Sequence, residues 1–392
     1  MSGGMTVLML YLFVGLPVEI GVLGQLGITG PEAASWFFIT WLTTGAFSLF
    51  IALQSRQPVS INLSIPVLIF LAGAGSGFTL PQILGANLVV GVAAVVFSVF
   101  RLSHLLEKIV PTHVAIAVFA GGIVAFMVKS AGIAVDDPLI IGAVGVGYLA
   151  GLAITRNHLI ATIIAAPSGF VAATWGSGVP SVEGAVRLPE VAIPVMQFDA
   201  SAIIALGVPL LILTVGVGNL QALALLRTEG YKPRSTYLGI LAGITTVVNA
   251  LGGGHAAAIG GSSAAIAASP ASGPSAGRYW AIVVSSIPTI LVALAAVPVI
   301  AIVQDLPLSF TLLIGALAIA SPFVRVFRAS FAGPSRTGVA VAFFLAMLPF
   351  GLLGLPMAFW ALVGGSAVAQ AIKWFDATKG FSLRLPTGHN AG

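Results

Sequence analysis

Two titratable side chains stand alone in otherwise apolar stretches of this 392-residue chain. Glu19, in LPVEIGVL, is the only acid deep in such a run, and His255, in NALGGGHAAAIGGSSAAI, is the only histidine away from a run's end. A charge at the centre of a membrane helix costs about 2.5–3.5 kcal/mol on insertion scales. Glu19 is therefore either a proton-coupling site or direct ligand contact, the preferred reading, or a neutral structural acid bonded to nearby backbone. A lone histidine in apolar surroundings is more often a satisfied structural group. Beside His255, however, Gly252–Gly254 leave room and bare N–H groups, and Gly254 is taken as a backbone contact for a ligand. Neutral, the imidazole can hold a carboxylate; protonated, it adds a counter-charge. Proton coupling is thus assigned to Glu19 and His255 together.

Uncharged polar residues complete the candidate set. Asn219 and Gln221 either hydrogen-bond between helices or face a ligand. Asn62 and Ser64 suit the start of a helix, and the same place would set them beside a ligand. No phosphate-binding loop, metal-ligand cluster or Ser-His-Asp arrangement occurs, and there is no cysteine. The reading is not an enzyme, with no cofactor; energy comes from an ion gradient.

These residues need elements to hold them. Hydrophobic residues make up 58% of the chain and Asp, Glu, Lys and Arg 7%, with mean hydropathy +1.10. A soluble domain carries roughly 25% charged residues, so this surface does not face water, and a polytopic, all-α membrane protein follows. Apolar runs fall at about 6–24, 34–53, 59–75, 80–100, 109–128, 138–154, 158–176, 200–226, 235–251, 255–270, 279–303, 308–324, 337–353 and 355–374. Fourteen spans at about 20 residues each use roughly 280 positions, leaving short loops.

With a cytoplasmic N-terminus, the inner loops and tail carry Arg56, Arg101, Lys108, Arg156, Arg227, Lys232, Arg234, Arg278, Arg325, Arg328, Arg336, Lys373, Lys379 and Arg384. The outer loops carry only Lys129 and Arg187. That asymmetry predicts both termini inside. Glu183, Glu190, Asp199 and Asp305 read as solvated outer-loop charges, and Trp36, Trp175, Trp280 and Trp360 as interface aromatics. The outer linker 179–199 divides the chain into a first seven-span repeat, 1–178, and a second of inverted topology, 200–376, before a cytoplasmic tail, 377–392. Inverted repeats are typical of transporters, with the site where interrupted spans meet near the midplane.

The third span of each half is unusual. Pro58 and Pro66 interrupt RQPVSINLSIP, whose residues 59–64 alternate like a strand. GGGHAAAIGGSSAAI opens on flexible glycines and reaches a possible cap at Ser262 and Ser263. Each predicts a short extended segment leading into a half-helix, and two inward N-termini form an anion site without an arginine.

ILTVGVGNLQALALLRTEGYKP followed by NALGGGHAAAIGGSSAAIAASPASGPSAGRYWA, with RQPVSINLSIP and EKIVPTHVAIAVFAGGIV, resembles the benzoate/proton symporter family. That family shares the uracil-permease type of seven-plus-seven inverted repeat. The resemblance implies a core of spans 1–4 and 8–11, a gate of spans 5–7 and 12–14, and substrate contacts from spans 1, 3, 8 and 10. It favours Asn219 for the site and adds Gly218. The chain departs from the family where a Gln-Asn pair is usual and it reads Gly218-Asn219, and where a small residue is usual and it has Glu19.

The resulting expectation is a proton-coupled secondary transporter of a small organic anion, an aromatic carboxylate such as benzoate, in the inner membrane. A nucleobase or inorganic-anion carrier on the same fold and an uncoupled anion channel are the alternatives. Expected partners are the anionic substrate, protons and membrane lipid; nucleic acid is excluded and a homodimer is allowed.

Overall fold

The structure, a computed structural model, describes residues 2–382 except 176, 182–186, 194 and 334. Glu183, Arg384 and the last ten residues of the expected tail lie outside the described residues.

Long apolar runs form helices because in hydrocarbon only intra-segment hydrogen bonds satisfy the backbone. In chain order these are α1 (Ser2–Leu10), α2 (Leu16–Leu26), α3 (Gly30–Ser55), β1 (Ile61–Leu63), α4 (Ile65–Ala74), α5 (Leu80–Val99), α6 (Ser103–Ile109), α7 (Thr112–Ala134), α8 (Pro138–Thr155) and α9 (His158–Thr174). After the linker come α10 (Ala200–Ala202), α11 (Val208–Leu211), α12 (Leu220–Thr228), α13 (Ser235–Leu251), β2 (Ala257–Ile259), α14 (Gly261–Ala267), α15 (Tyr279–Leu294), α16 (Ala296–Gln304), α17 (Leu308–Ser330) and α18 (Arg336–Ala346). A small hairpin, β3 (Gly351–Leu352) and β4 (Leu355–Pro356), precedes α19 (Met357–Ser382). Among the described residues seven helices are long and apolar enough to cross a membrane, or eight if the bent pair α16–α17 counts as one. Val146, Leu149 and Ile154 of α8 are exposed, as a lipid-facing surface requires. The chain is a mostly helical, polytopic membrane protein.

Wide π turns occupy Tyr11–Gly15 before α2 and Ile203–Gly207 before α11. In both cases a proline, Pro17 or Pro209, follows at the second helical position. Proline has no N–H to donate and its ring clashes with the carbonyl four residues back, so the preceding turn widens. A third π stretch, Ile212–Asn219, leads into α12.

Both expected interrupted segments are strand plus short helix. β1 runs into α4 and β2 into α14, and the strands pair antiparallel, Ile61 with Ile259, Asn62 with Ala258 and Leu63 with Ala257. The two helices therefore leave the ladder in opposite directions with their N-termini toward it. Neither is capped by a side chain. α4 has ten residues and α14 only seven, so the dipole contribution expected from both ends comes mainly from α4.

Two runs differ from expectation. The run 279–303 is two helices, α15 and α16, broken at Ala295, because Pro298 cannot accommodate the carbonyl of Leu294. α16 then turns 113° into α17. The run 337–353 stops as α18 at Ala346, ahead of Pro349, and Leu353 and Gly354, with φ of 54° and 75°, make the two-residue hairpin turn.

The largest apolar cluster joins α2, α3, α4 and α5 through Val18, Trp41, Leu68, Leu71 and Leu84, and reaches α7 and α17 at Phe126 and Leu312. α5 and α13 cross on glycines: a Cβ at Gly91 would sit 2.8 Å from the Val247 nitrogen, and one at Gly243 2.8 Å from the Val95 nitrogen. Neither backbone can yield. Gly243→Val is expected to destabilise the fold by about 1–3 kcal/mol or more through overpacking, read as a lowered melting temperature in detergent. An unchanged value would mean that the two helices separate freely.

Candidate functional site

An isolated two-stranded ladder has two open edges, and inside a membrane each free N–H or C=O is costly. Here neighbouring side chains close both. Ser48 of α3 donates to the Ile61 carbonyl at 2.9 Å and accepts from its N–H at 3.0 Å, and Thr44 accepts from Leu63 N at 3.0 Å. On the other edge, Thr246 of α13 accepts from Ala257 N at 3.0 Å and Asn219 Oδ1 from Ile259 N at 2.7 Å. The hydroxyls of α3 and α13 thus hold the extended segments in place.

Across the ladder, Tyr11 OH donates to Asn62 Oδ1 at 2.8 Å, Asn62 Nδ2 donates to Ser263 Oγ at 2.8 Å, and Ser60 and Ser263 hydroxyls lie 2.6 Å apart. Asn62 is committed to this network, which ties the first, third and tenth segments together. Ser64 sits at the α4 N-cap with its carbonyl bonded to Leu68 N and no side-chain capping bond.

Glu19 and His255 are brought together. Both are fully buried, with His255 Nε2 3.7 Å from Glu19 Oε1. Trp41 Nε1 donates to Glu19 Oε2 at 2.6 Å, so a proton on this carboxyl belongs on Oε1. Thr40 Oγ1 lies 2.7 Å from Oε1, 2.8 Å from the Trp36 carbonyl and 3.1 Å from that of Phe37. One hydroxyl proton serves one acceptor well. Toward an ionised Glu19 the hydroxyl donates to Oε1; toward a protonated one it accepts from Oε1 and turns its hydrogen to the α3 backbone. His255 Nδ1 lies 2.9 Å from the Ala256 carbonyl, which can only accept, so Nδ1 carries the hydrogen. In a neutral ring the Nε2 lone pair then faces Glu19 Oε1. Carboxyl and imidazole thus face each other across 3.7 Å, one contributed by α2 and the other by the segment before β2.

The two glycines meet protein. A Cβ on Gly254 would lie 2.7 Å from Thr40 Cγ2 and 2.8 Å from Ile39 Cγ2, so this position serves close packing on α3. A Cβ on Gly218 would lie 3.2 Å from that of Ala258, so it seats β2 against the π stretch. Asn219 does more than hold β2. It lines a cavity of about 700 Å³ with Ser98, Arg101, Val215, Arg234 and Tyr237. Its oxygen is taken by Ile259, which leaves its amide hydrogens uncommitted.

Several contributors carried little signal in the sequence. Tyr11 reads as another core aromatic. Thr40, Thr43, Thr44 and Ser48 do form a hydroxyl stripe at helical spacing, and that pattern was the available clue. Trp36, expected at the interface, is instead fully buried with its ring centroid 5.6 Å from that of His255. Trp175 and Trp280 are exposed.

The profile of the family described as "Benzoate membrane transport protein" matches residues 18–371. The chain is similar to the "Inner membrane protein YdcO" of Escherichia coli (strain K12), 25% identical over 343 residues, or 86% of this chain and 87% of that protein. Among solved structures it is similar to the transmembrane domain of the cyanobacterium bicarbonate transporter BicA, with TM-score 0.60 and 13% identity over 94% of this chain and 95% of that one. It is also similar to SLC26A9, with TM-score 0.55 and 12% identity over 93% of this chain and 66% of that one. At those identities the two structures speak for the fold alone, whereas the profile spans both interrupted segments, Glu19 and His255. The chain belongs to the benzoate membrane transport protein family.

Proposed function

We propose that the protein is a proton-coupled symporter of a small organic anion, an aromatic carboxylate such as benzoate. The observation that carries this reading is the buried Glu19–His255 pair, one residue from each half of the chain, set beside the crossing of two interrupted segments. A group that exchanges one proton there couples it to any motion that rearranges the crossing. Asn219, with a free donor and Arg234 at the same cavity, receives the anion from the basic face; the α4 N-terminus at Ser64 adds uncommitted N–H groups. Gly218 and Gly254 serve this site by keeping β2 and the His255 loop close to their neighbours.

In this reading the chain crosses the membrane fourteen times, with both termini cytoplasmic, as two inverted seven-segment repeats in a core and a gate. The paired π-turn-plus-proline segments and the paired strand-plus-helix segments support the repeat.

A thermal-shift screen of the purified protein tests the ligand class. A ligand at a hundred times its dissociation constant stabilises by about 2.7 kcal/mol, so benzoate and related aromatic monocarboxylates are expected to raise the melting temperature while nucleobases and inorganic oxyanions do not. Stabilisation by nucleobases or oxyanions alone would assign the site to them.

A further inference from the structure

The cavity at Asn219 opens on the basic face, yet the proton pair lies nearer the other one. α5 spans about 30 Å at 1.5 Å per residue, with Ser98 at the cavity and Pro81, whose carbonyl accepts from Gln197 N of the linker, at the opposite end. On that linker face Ser35 donates to the Gly252 carbonyl at 2.8 Å and accepts from Ala192 N at 2.9 Å. Beneath these contacts lie buried polar atoms that make no hydrogen bond of normal geometry to protein: Trp36 Nε1, which faces the Glu19 carboxyl, His255 Nε2 and Asn87 Oδ1. Trp36 packs tilted by 36° against His255, His255 Nε2 faces Glu19 Oε1, and Asn87 Nδ2 reaches the Gly254 carbonyl at 3.5 Å. A donor and two acceptors around one loop suit ordered water, which requires two to four polar partners.

We propose that these atoms form a water-binding proton port through which Glu19 exchanges protons with the linker face, separate from the path of the anion. The proposal rests on the proton-coupled reading above. Trp36 Nε1 can donate to a water that in turn donates to His255 Nε2 or Glu19 Oε1, so a proton moves along hydrogen bonds with no covalent change in the protein. Among the described residues, α3, α4, α5, α13 and α17 bring no further titratable side chain against the pair. Tyr11 is engaged with Asn62, while Glu32, Glu190 and Asp305 are exposed at the linker face.

The chain has no cysteine, so one introduced thiol reports alone. In proteoliposomes of known orientation, Asn87→Cys is expected to react with a membrane-impermeant thiol reagent added on the linker face and not on the basic face. Ser35→Ala, which unties Ala192 from Gly252, should speed that reaction about ten- to hundredfold, the effect of two lost hydrogen bonds. Trp36→Phe keeps an aromatic ring packed against His255 but removes the N–H; it should slow proton-driven uptake about tenfold, shift its pH profile, and leave substrate exchange at the wild-type rate. Labelling from the basic face only, labelling from neither face, or an unaltered pH profile in Trp36→Phe overturns the port. Absence of proton-driven uptake in the wild type overturns the coupling reading instead, whatever the labelling shows.

Discussion

Glu19→Gln is expected to give a folded protein that still exchanges substrate but no longer accumulates it against a pH gradient. The amide oxygen can accept from Trp41 as Oε2 does, and the amide hydrogens can reach Thr40 Oγ1 and the His255 Nε2 lone pair. Every contact of the protonated acid thus survives, and only proton release is lost. With one proton moving per anion, a two-unit pH gradient drives about a hundredfold accumulation, tenfold for each 1.36 kcal/mol. The variant's pH-driven uptake rate should fall to that of protein-free liposomes, with counterflow and melting temperature near wild type. Full accumulation in Glu19→Gln would make this carboxyl a structural group.

The second large effect belongs to Asn219. Asn219→Asp retains an oxygen to accept from Ile259 N, so β2 keeps its edge bond, but it replaces the donor facing the cavity with negative charge. Losing a charge-assisted hydrogen bond is worth roughly 1.5–3 kcal/mol, so affinity for the anion should drop about ten- to hundredfold or more. Asn219→Ala differs: it strands a buried N–H at a cost of about 1–3 kcal/mol and should lower the melting temperature as well. Measuring affinity and stability on both variants separates the roles. Normal anion affinity in Asn219→Asp would confine Asn219 to holding the strand.

The interrupted segments were legible because proline and glycine leave few backbone options; Pro58, Pro66 and Gly252–Gly254 announce themselves. Glu19 and His255 were legible because an ionisable group is costly in hydrocarbon. Their partnership was not, since it joins α2 to the segment before β2 through an antiparallel pairing that no local pattern encodes. Gly254 shows the converse limit. A glycine that admits a ligand and one that admits a neighbouring helix look alike in sequence, and only the position of Thr40 and Ile39 distinguishes them. Trp36 was misplaced for a related reason: a tryptophan near a helix end suits an interface, and nothing local shows that the His255 ring packs against it. The breaks at Ala295 and Ala346 follow from Pro298 and Pro349, whose effect continuous hydrophobicity masks.

The most direct test of coupled transport is labelled benzoate uptake by the purified protein in proteoliposomes, with an imposed pH gradient and membrane potential clamped at zero. Neutral benzoic acid crosses bilayers unaided, so the rate is taken above that of protein-free and Glu19→Gln liposomes. The account predicts saturable accumulation that tracks the gradient, moves protons in step with the anion, and collapses with a protonophore. Flux that rises linearly with concentration and ignores the pH gradient would contradict it.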